Sequence, residues 1–162
     1  MVDNASEKEV YAILDSIKDP EIPSVSIEEL GILRDVKVSG DSVTITITPT
    51  YSGCPAMDMI SKEVVEALTN SGFPNVEIRR VLSPAWTTDW ISESGKLKLK
   101  EAGIAPPGKA TDPLVSISPK PIPCPRCDST KTRLTSQFGP TACKALHFCD
   151  GCHQPFEHFK DF

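Results

Sequence analysis

The chain has 162 residues, a formal net charge of −5, 15 prolines and 6 cysteines. That length holds one ordinary domain, or one of roughly 100 residues with a small appendage, and a hydrophobic content of 39% excludes global disorder. The acidic balance argues against a protein that coats nucleic acid or anionic membrane.

No apolar run reaches the roughly 18–20 residues of a membrane span. The start, MVDNASEKEVYAIL, lacks the basic-then-apolar plan of a signal peptide. The expectation is a cytoplasmic protein in a reducing compartment, where cysteines serve as ligands or reactive thiols rather than disulfides.

In chain order, Ser6 and Glu9 fit a capping box opening a helix, with Val10, Ile13, Leu14 and Ile17 at helical spacing and Pro20 as its stop. Asp19-Pro20-Glu21 sets two carboxylates around that proline. The ordinary reading is a solvated turn; close to Cys54, the two would complete a set suited to transient iron. Val36 and Val38, then Val43, Ile45 and Ile47, alternate around Ser39-Gly40-Asp41, a hairpin signal.

Pro55 suits the first turn of a second helix, with Met59, Ile60, Val64 and Leu68 as its apolar face and Gly72 as its C-terminal cap. Val76, Ile78 and Leu82 suggest a third strand, and a helix spans Trp90–Ala102. The expected fold class is α/β: a small α-β-β-α-β-α domain over residues 1–102, followed by a β-rich ribbon.

Cys54, just before Pro55, falls beside the helix N-terminus, where unpaired N–H groups and the dipole favour a thiolate. The spacing leaves open whether this thiol is reactive or simply packed, and Ser52-Gly53 would let the loop approach closely. Trp86 and Trp90, four apart, read either as a packing staple or as a partner surface.

Seven prolines lie between Gly103 and Pro125, which marks residues 103–122 as an extended linker. Charge divides there as well. Residues 1–102 carry 10 basic and 17 acidic side chains, and residues 103–162 carry 7 and 5. In the last part, 123–162, the pairs Cys124/Cys127 and Cys149/Cys152 are two C-x-x-C knuckles with 21 residues between them.

Two knuckles supply the four ligands of a closed tetrahedral site, and strand-like Lys131–Gln137 and Lys144–Phe148 make a zinc ribbon of the segment. Some 40 residues are too few to fold on a core alone, so the metal would supply most of the stability. Zinc in a structural role outweighs a catalytic or redox metal, and iron fits the same thiolate geometry. His147 and His153 read as ordinary histidines. Cys143, outside both knuckles, is either a small buried hydrophobe or a spare thiol for metal or cluster transfer.

Three segments, DPEIPSVSIEELGILRDV, TPTYSGCPAMD and SPAWTTDWISESGKLKL, resemble the small iron–sulfur-assembly domain family that includes the SufT-like proteins. The matching hallmarks are Asp19-Pro20-Glu21 and Thr48, Thr50, Cys54 and Pro55. With the C-terminal FGPTACKALHFCDGCHQPFEHFK, the chain resembles the PaaD (or PaaJ) family, a component of the phenylacetyl-CoA epoxidase system of aerobic phenylacetate degradation.

The resemblance implies an assembly domain in which Cys54 is the important thiol, with a transient iron ion or iron–sulfur cluster as cargo, and a metal-binding tail. It implies a protein that helps install iron–sulfur or iron centres in client enzymes, and the sequence itself, with no Gly-rich phosphate loop, no Ser/His/Asp set and no histidine before residue 147, gives little support to an enzyme. The implied partners are the epoxidase's oxygenase and reductase subunits, which hold a di-iron centre and a plant-type iron–sulfur cluster, and the iron–sulfur assembly machinery. The alternative is a non-catalytic structural subunit of that oxygenase, docking through the ribbon and the Trp86/Trp90 region. A nucleic-acid-binding ribbon ranks below both, because the C-terminal part carries only +2 and no basic stripe.

Overall fold

The computed structural model describes residues 4–108 and 121–162, with no side-chain description for residues 4–6. The chain forms two compact units, Met1–Trp86 and Thr87–Phe162.

The first unit opens with helix α1, Asn4–Leu14. It starts two residues before Ser6, which therefore lies inside the helix and is not its cap. Val10 and Leu14 bury its inner face. A reciprocal box forms instead at Ser26, whose Oγ accepts the Glu29 N–H at 3.1 Å while the Glu29 carboxylate accepts the Ser26 N–H at 3.0 Å.

Strands β1 (Leu33–Ser39) and β2 (Ser42–Ile47) form the expected hairpin, with Val38 opposite Val43 and Gly40 at φ +63° in the turn. Helix α2 (Ala56–Asn70) then crosses over to β3 (Asn75–Arg80), which pairs parallel to β2. The sheet order is β1-β2-β3. The crossover sets the C-terminal ends of β2 and β3 side by side, Ile47 opposite Arg80.

Helix α2 buries Met57, Ile60, Val64 and Leu68, a stripe at spacings of three and four. Met59, expected on that face, is 55% exposed, because it lies one residue off the stripe. Gly72, at φ +98°, follows the last turn, and the Phe73 N–H reaches back to the Leu68 carbonyl at 3.0 Å. Leu82, expected in the third strand, lies beyond β3 and is exposed.

The second unit takes more of the chain than composition suggests. Helix α3 (Glu93–Glu101), capped by Ser92 Oγ on the Gly95 N–H at 3.0 Å, belongs to it, so the first unit closes without a third helix. Gly103 does not begin a linker. It leads into strand β4 (Ile104–Ala105), which pairs parallel with β7 (Gln154–Phe159) and is buried.

The boundary therefore falls between Trp86 and Thr87 rather than after residue 102. Proline density records local stiffness, whereas the division follows where strands pair. Most of the expected linker, 109–120, lies outside the described residues.

Strands β5 (Thr132–Ser136) and β6 (Lys144–Cys149) complete a four-stranded sheet of order β4-β7-β6-β5. Alternation puts Ala145, His147 and Cys149 of β6 on one face with Phe156 and His158 of β7. On the other face the buried Lys144 ammonium pairs with Glu157 at 2.8 Å.

Burial pushes the His158 imidazole from its ordinary 6.5 down to about 4, assisted by His147 and opposed by Asp161. The unfolded chain then takes up this proton first as pH falls. The contribution of His158 is complete above pH 6.5 and is lost between about 6.5 and 4, at a cost of up to about 3 kcal/mol. Replacing His158 with Gln should flatten that part of the pH dependence of the second unit's urea midpoint, relative to wild type with the same metal content.

Candidate functional site

In the second unit both knuckles have the same build. The Cys124 carbonyl accepts the Asp128 N–H at 2.9 Å, and the residue after each second cysteine, Asp128 and His153, takes a positive φ of 58° and 56°. That left-handed step turns the chain away after the second thiol has been aimed inward. His153 is therefore an exposed turn residue.

The Sγ atoms of Cys124, Cys127, Cys149 and Cys152 all lie within 4.8 Å of one another. Cys124 and Cys152 are 3.8 Å apart, and Cys127 and Cys149 3.6 Å. Tetrahedral bonds of ~2.3 Å to one ion set sulfurs ~3.8 Å apart, whereas a disulfide needs ~2.05 Å. The four cysteines therefore form a metal-binding group, and the donor set fits zinc.

The Cys149 thiol is drawn down to about 6, first by the Cys152 backbone N–H and also by that of Gly151. Cys152 is pushed up to about 12, by burial and then by the neighbouring thiols. Four adjacent thiols cannot all ionise unless a cation balances them. Cys124 and Cys149 are fully buried, packed with Ala105, Phe156 and Ile122, so the ligands form part of the unit's core.

Cys143 is apart from this group. It is buried, and its sulfur lies 3.1 Å from Thr141 Oγ1. Its position fits the small-hydrophobe reading and gives a transferring thiol no access.

In the first unit, Cys54 sits in the loop from β2 to α2, at the C-terminal ends of the parallel strands, the usual place for ligands in α/β sheets. Pro55 is the N-cap of α2 at φ −69°, as its fixed ring geometry suits. The Cys54 N–H bonds the Tyr51 carbonyl at 3.2 Å, and its own carbonyl accepts the Met57 N–H at 3.3 Å. Gly53 is needed for its φ of +80°. A Cβ there would meet nothing within 4 Å, so close approach is not the reason for the glycine.

The half-buried Cys54 thiol departs from the sequence expectation. Its pKa is raised, first by burial and further by the charges of Glu21 and Asp19. The Ala56 backbone N–H and the Tyr51 side chain pull the other way and do not prevail. The helix N-terminus thus acts as expected but is outweighed. The two carboxylates act from another part of the chain, whereas Tyr51 belongs to the same loop, three residues before Cys54.

The charges of Glu21 and Asp19 are therefore felt at Cys54, yet among the described residues only the knuckle cysteines converge at ligand spacing. Asp19 is committed: its buried Oδ1 accepts the N–H groups of Glu21 at 2.8 Å and Ile22 at 2.9 Å, which holds Glu21 in place. Arg80 was not singled out by the sequence. From the end of β3 it reaches the Met57 carbonyl, Asp58 at 2.7 Å and Ser61 at 3.0 Å, pinning the first turn of α2. Trp86 is a packing residue, buried and donating its indole N–H to the Leu30 carbonyl at 2.9 Å.

Comparison with known proteins now bears on the whole chain. It is 46% identical to a protein of Escherichia coli (strain K12) provisionally named as a component of 1,2-phenylacetyl-CoA epoxidase, over 94% of this chain and 91% of that protein. The chain belongs to the PaaD family. Residues 112–160 match the model of the PaaD zinc beta ribbon domain, and residues 7–79 that of the iron–sulfur cluster assembly protein.

The PaaD relative is joined by an Fe-S protein maturation auxiliary factor of Porphyromonas gingivalis (strain ATCC BAA-308 / W83), 35% identical over 58% of this chain and 90% of that protein. A crystal structure of a domain of unknown function from Bacillus anthracis superposes with a TM-score of 0.56 at 32% identity, covering 59% of this chain and 92% of that one. This PaaD chain therefore joins an iron–sulfur-assembly domain to a metal-binding ribbon. Among the described residues, no helix is long and apolar enough to cross a membrane.

Two outcomes follow for these sites. A methyl group at Gly151 would meet Ser129 Oγ at 2.7 Å and Cβ at 2.9 Å, pressing one knuckle against the other. Gly151→Ala should destabilise the second unit by ~1–3 kcal/mol and speed metal loss to a chelator. Asp19→Ala should lower the first unit's stability by ~1–3 kcal/mol in chemical denaturation, because two N–H groups lose their acceptor. Asp19→Asn keeps an oxygen there and should cost less.

Proposed function

We propose that this protein is an accessory maturation factor that helps install iron–sulfur or di-iron centres in the phenylacetyl-CoA epoxidase oxygenase, with Cys54 as the residue that holds the cargo. The observation that carries the reading is a half-buried thiol under the negative charge of Glu21 and Asp19, in a domain matching the iron–sulfur cluster assembly model. Support for the client comes from the relative named as part of that epoxidase, and support for the role from relatives named maturation auxiliary factors.

The electrostatics suit such a cargo. Burial and two negative charges penalise a bare thiolate, so the thiol stays protonated until a cation arrives. The same carboxylates favour the cation once it replaces the proton. A single thiolate is a soft ligand for iron, yet one cysteine holds it loosely enough for release. Glu21, placed by the Asp19 turn, acts on the thiol through its charge. Cys143 has no part in this scheme, being buried in the other unit.

Zinc is the metal we assign to Cys124, Cys127, Cys149 and Cys152. It would tie the two knuckles together and leave no position open for chemistry. The partners in this reading are the oxygenase and reductase subunits and the machinery that supplies iron or clusters, in the cytoplasm. Docking as a permanent structural subunit through Trp86 is less well supported, because that indole is already buried and hydrogen-bonded.

Co-expression with the oxygenase and reductase tests the role. Cys54→Ser should fold as wild type but lower client iron content and epoxidase activity by roughly tenfold or more, given that even lost outer-shell partners cost ~10–100-fold in metal affinity. Fully metallated, active client from the Cys54→Ser strain would end this role for the thiol.

A further inference from the structure

The metal-bearing face of the ribbon sheet continues past Cys149 into a cavity of about 290 Å³. It exists because Ala145 is the small residue of an otherwise bulky face: register sets it opposite His158, while His147 lies opposite Phe156. Pro121, Ile122, Leu134 and Ala145 supply apolar wall. At ~30 Å³ per water in the liquid, the space equals about ten waters, near the lower end of small-ligand sites.

The polar lining is Thr132, Gln137, His147, His158 and Lys160, of which the Thr132 hydroxyl already donates to the Ile122 carbonyl at 2.6 Å. His158 lines it and is 6% exposed, and its buried Nε2 has no hydrogen-bond partner. Buried ring nitrogens are ordinarily satisfied, so an orphan on a cavity wall points to a missing partner. His147 packs edge-on against it at 5.4 Å between ring centroids.

Lys160, also on the wall, gives one N–H to the Gln137 carbonyl at 2.9 Å and lies 4.9 Å from the Phe138 ring centroid, which leaves ammonium N–H groups for a ligand. No lining residue is acidic. The nearby Asp161 is bound to the Gly108 N–H at 2.8 Å and is not on the wall.

We propose that this cavity binds a small apolar carboxylic acid, its body on the Ile122, Leu134 and Ala145 wall and its carboxylate between His158 Nε2–H and the Lys160 ammonium. A carboxylate offers only acceptors, which both groups can serve as donors, and it pairs with the one cation on the wall. A cationic ligand would find no counter-charge there. The site is separate from Cys54 and from the four knuckle cysteines, and it does not depend on the maturation role.

Benzoate, with benzylamine as a cation of similar body, tests the assignment on the full-length, metal-loaded protein by NMR of the histidine rings and the Leu134 methyls. Benzoate should shift His147, His158 and Leu134 saturably, with benzylamine binding at least about tenfold more weakly, a charged contact's worth. Ala145→Leu should abolish the shifts by filling the cavity. Lys160→Ala, which leaves the cavity open, should weaken benzoate about tenfold and benzylamine not at all.

No saturable benzoate shift, equal binding of benzylamine, or unchanged benzoate binding in Lys160→Ala overturns the proposal. The Lys160 result decides it even if Ala145→Leu loses its metal.

Discussion

Four sulfurs held within 4.8 Å of one another are the constraint from which the second unit is built. The unit has a short four-stranded sheet, and two of its most buried residues are the ligands Cys124 and Cys149. Thiols gathered so closely repel as thiolates and pack poorly as thiols. A bound cation turns that penalty into the main cohesive interaction. The left-handed residues Asp128 and His153, the cramped Gly151 and the packing of Ile122 all serve the convergence of those sulfurs. A closed, saturated site of this type holds a fold together and offers nothing to a substrate.

The first unit solves the opposite problem. Its apolar core, from Val10 and Leu14 through Ile45, Ile47, Ile60 and Leu68, needs no metal. The parallel crossover from β2 through α2 to β3 leaves a loop at the strand ends, and that loop carries Cys54 half-buried. Arg80 fixes one side of the loop's exit and the Asp19 turn presents Glu21 on the other. Here the thiol is single and kept protonated by burial and negative charge. One chain thus pairs a four-cysteine metal-binding group with a lone thiol whose pKa is raised by burial and negative charge.

Some of this was legible in the sequence because it is encoded locally. C-x-x-C fixes a knuckle within four residues, and the hairpin turn at Gly40 and the proline at the start of α2 act on their own neighbours. What was not legible depends on distant pairing. The raised pKa of Cys54 comes partly from Asp19 and Glu21, more than thirty residues earlier in the chain. Helix α3 and strand β4 belong with the ribbon because Ile104 and Ala105 pair with Glu157 and His158, which no proline count reveals. The Asp19 carboxylate read as part of a solvated turn and is instead a buried acceptor that builds the turn.

The central claim is that the two kinds of thiol site handle metal differently. Metal analysis of protein prepared without oxygen, wild type against Cys54→Ser, tests it most directly. The account predicts one zinc per chain in both proteins, and iron or cluster only in the wild type. Iron in the ribbon, with none that depends on Cys54, would contradict it.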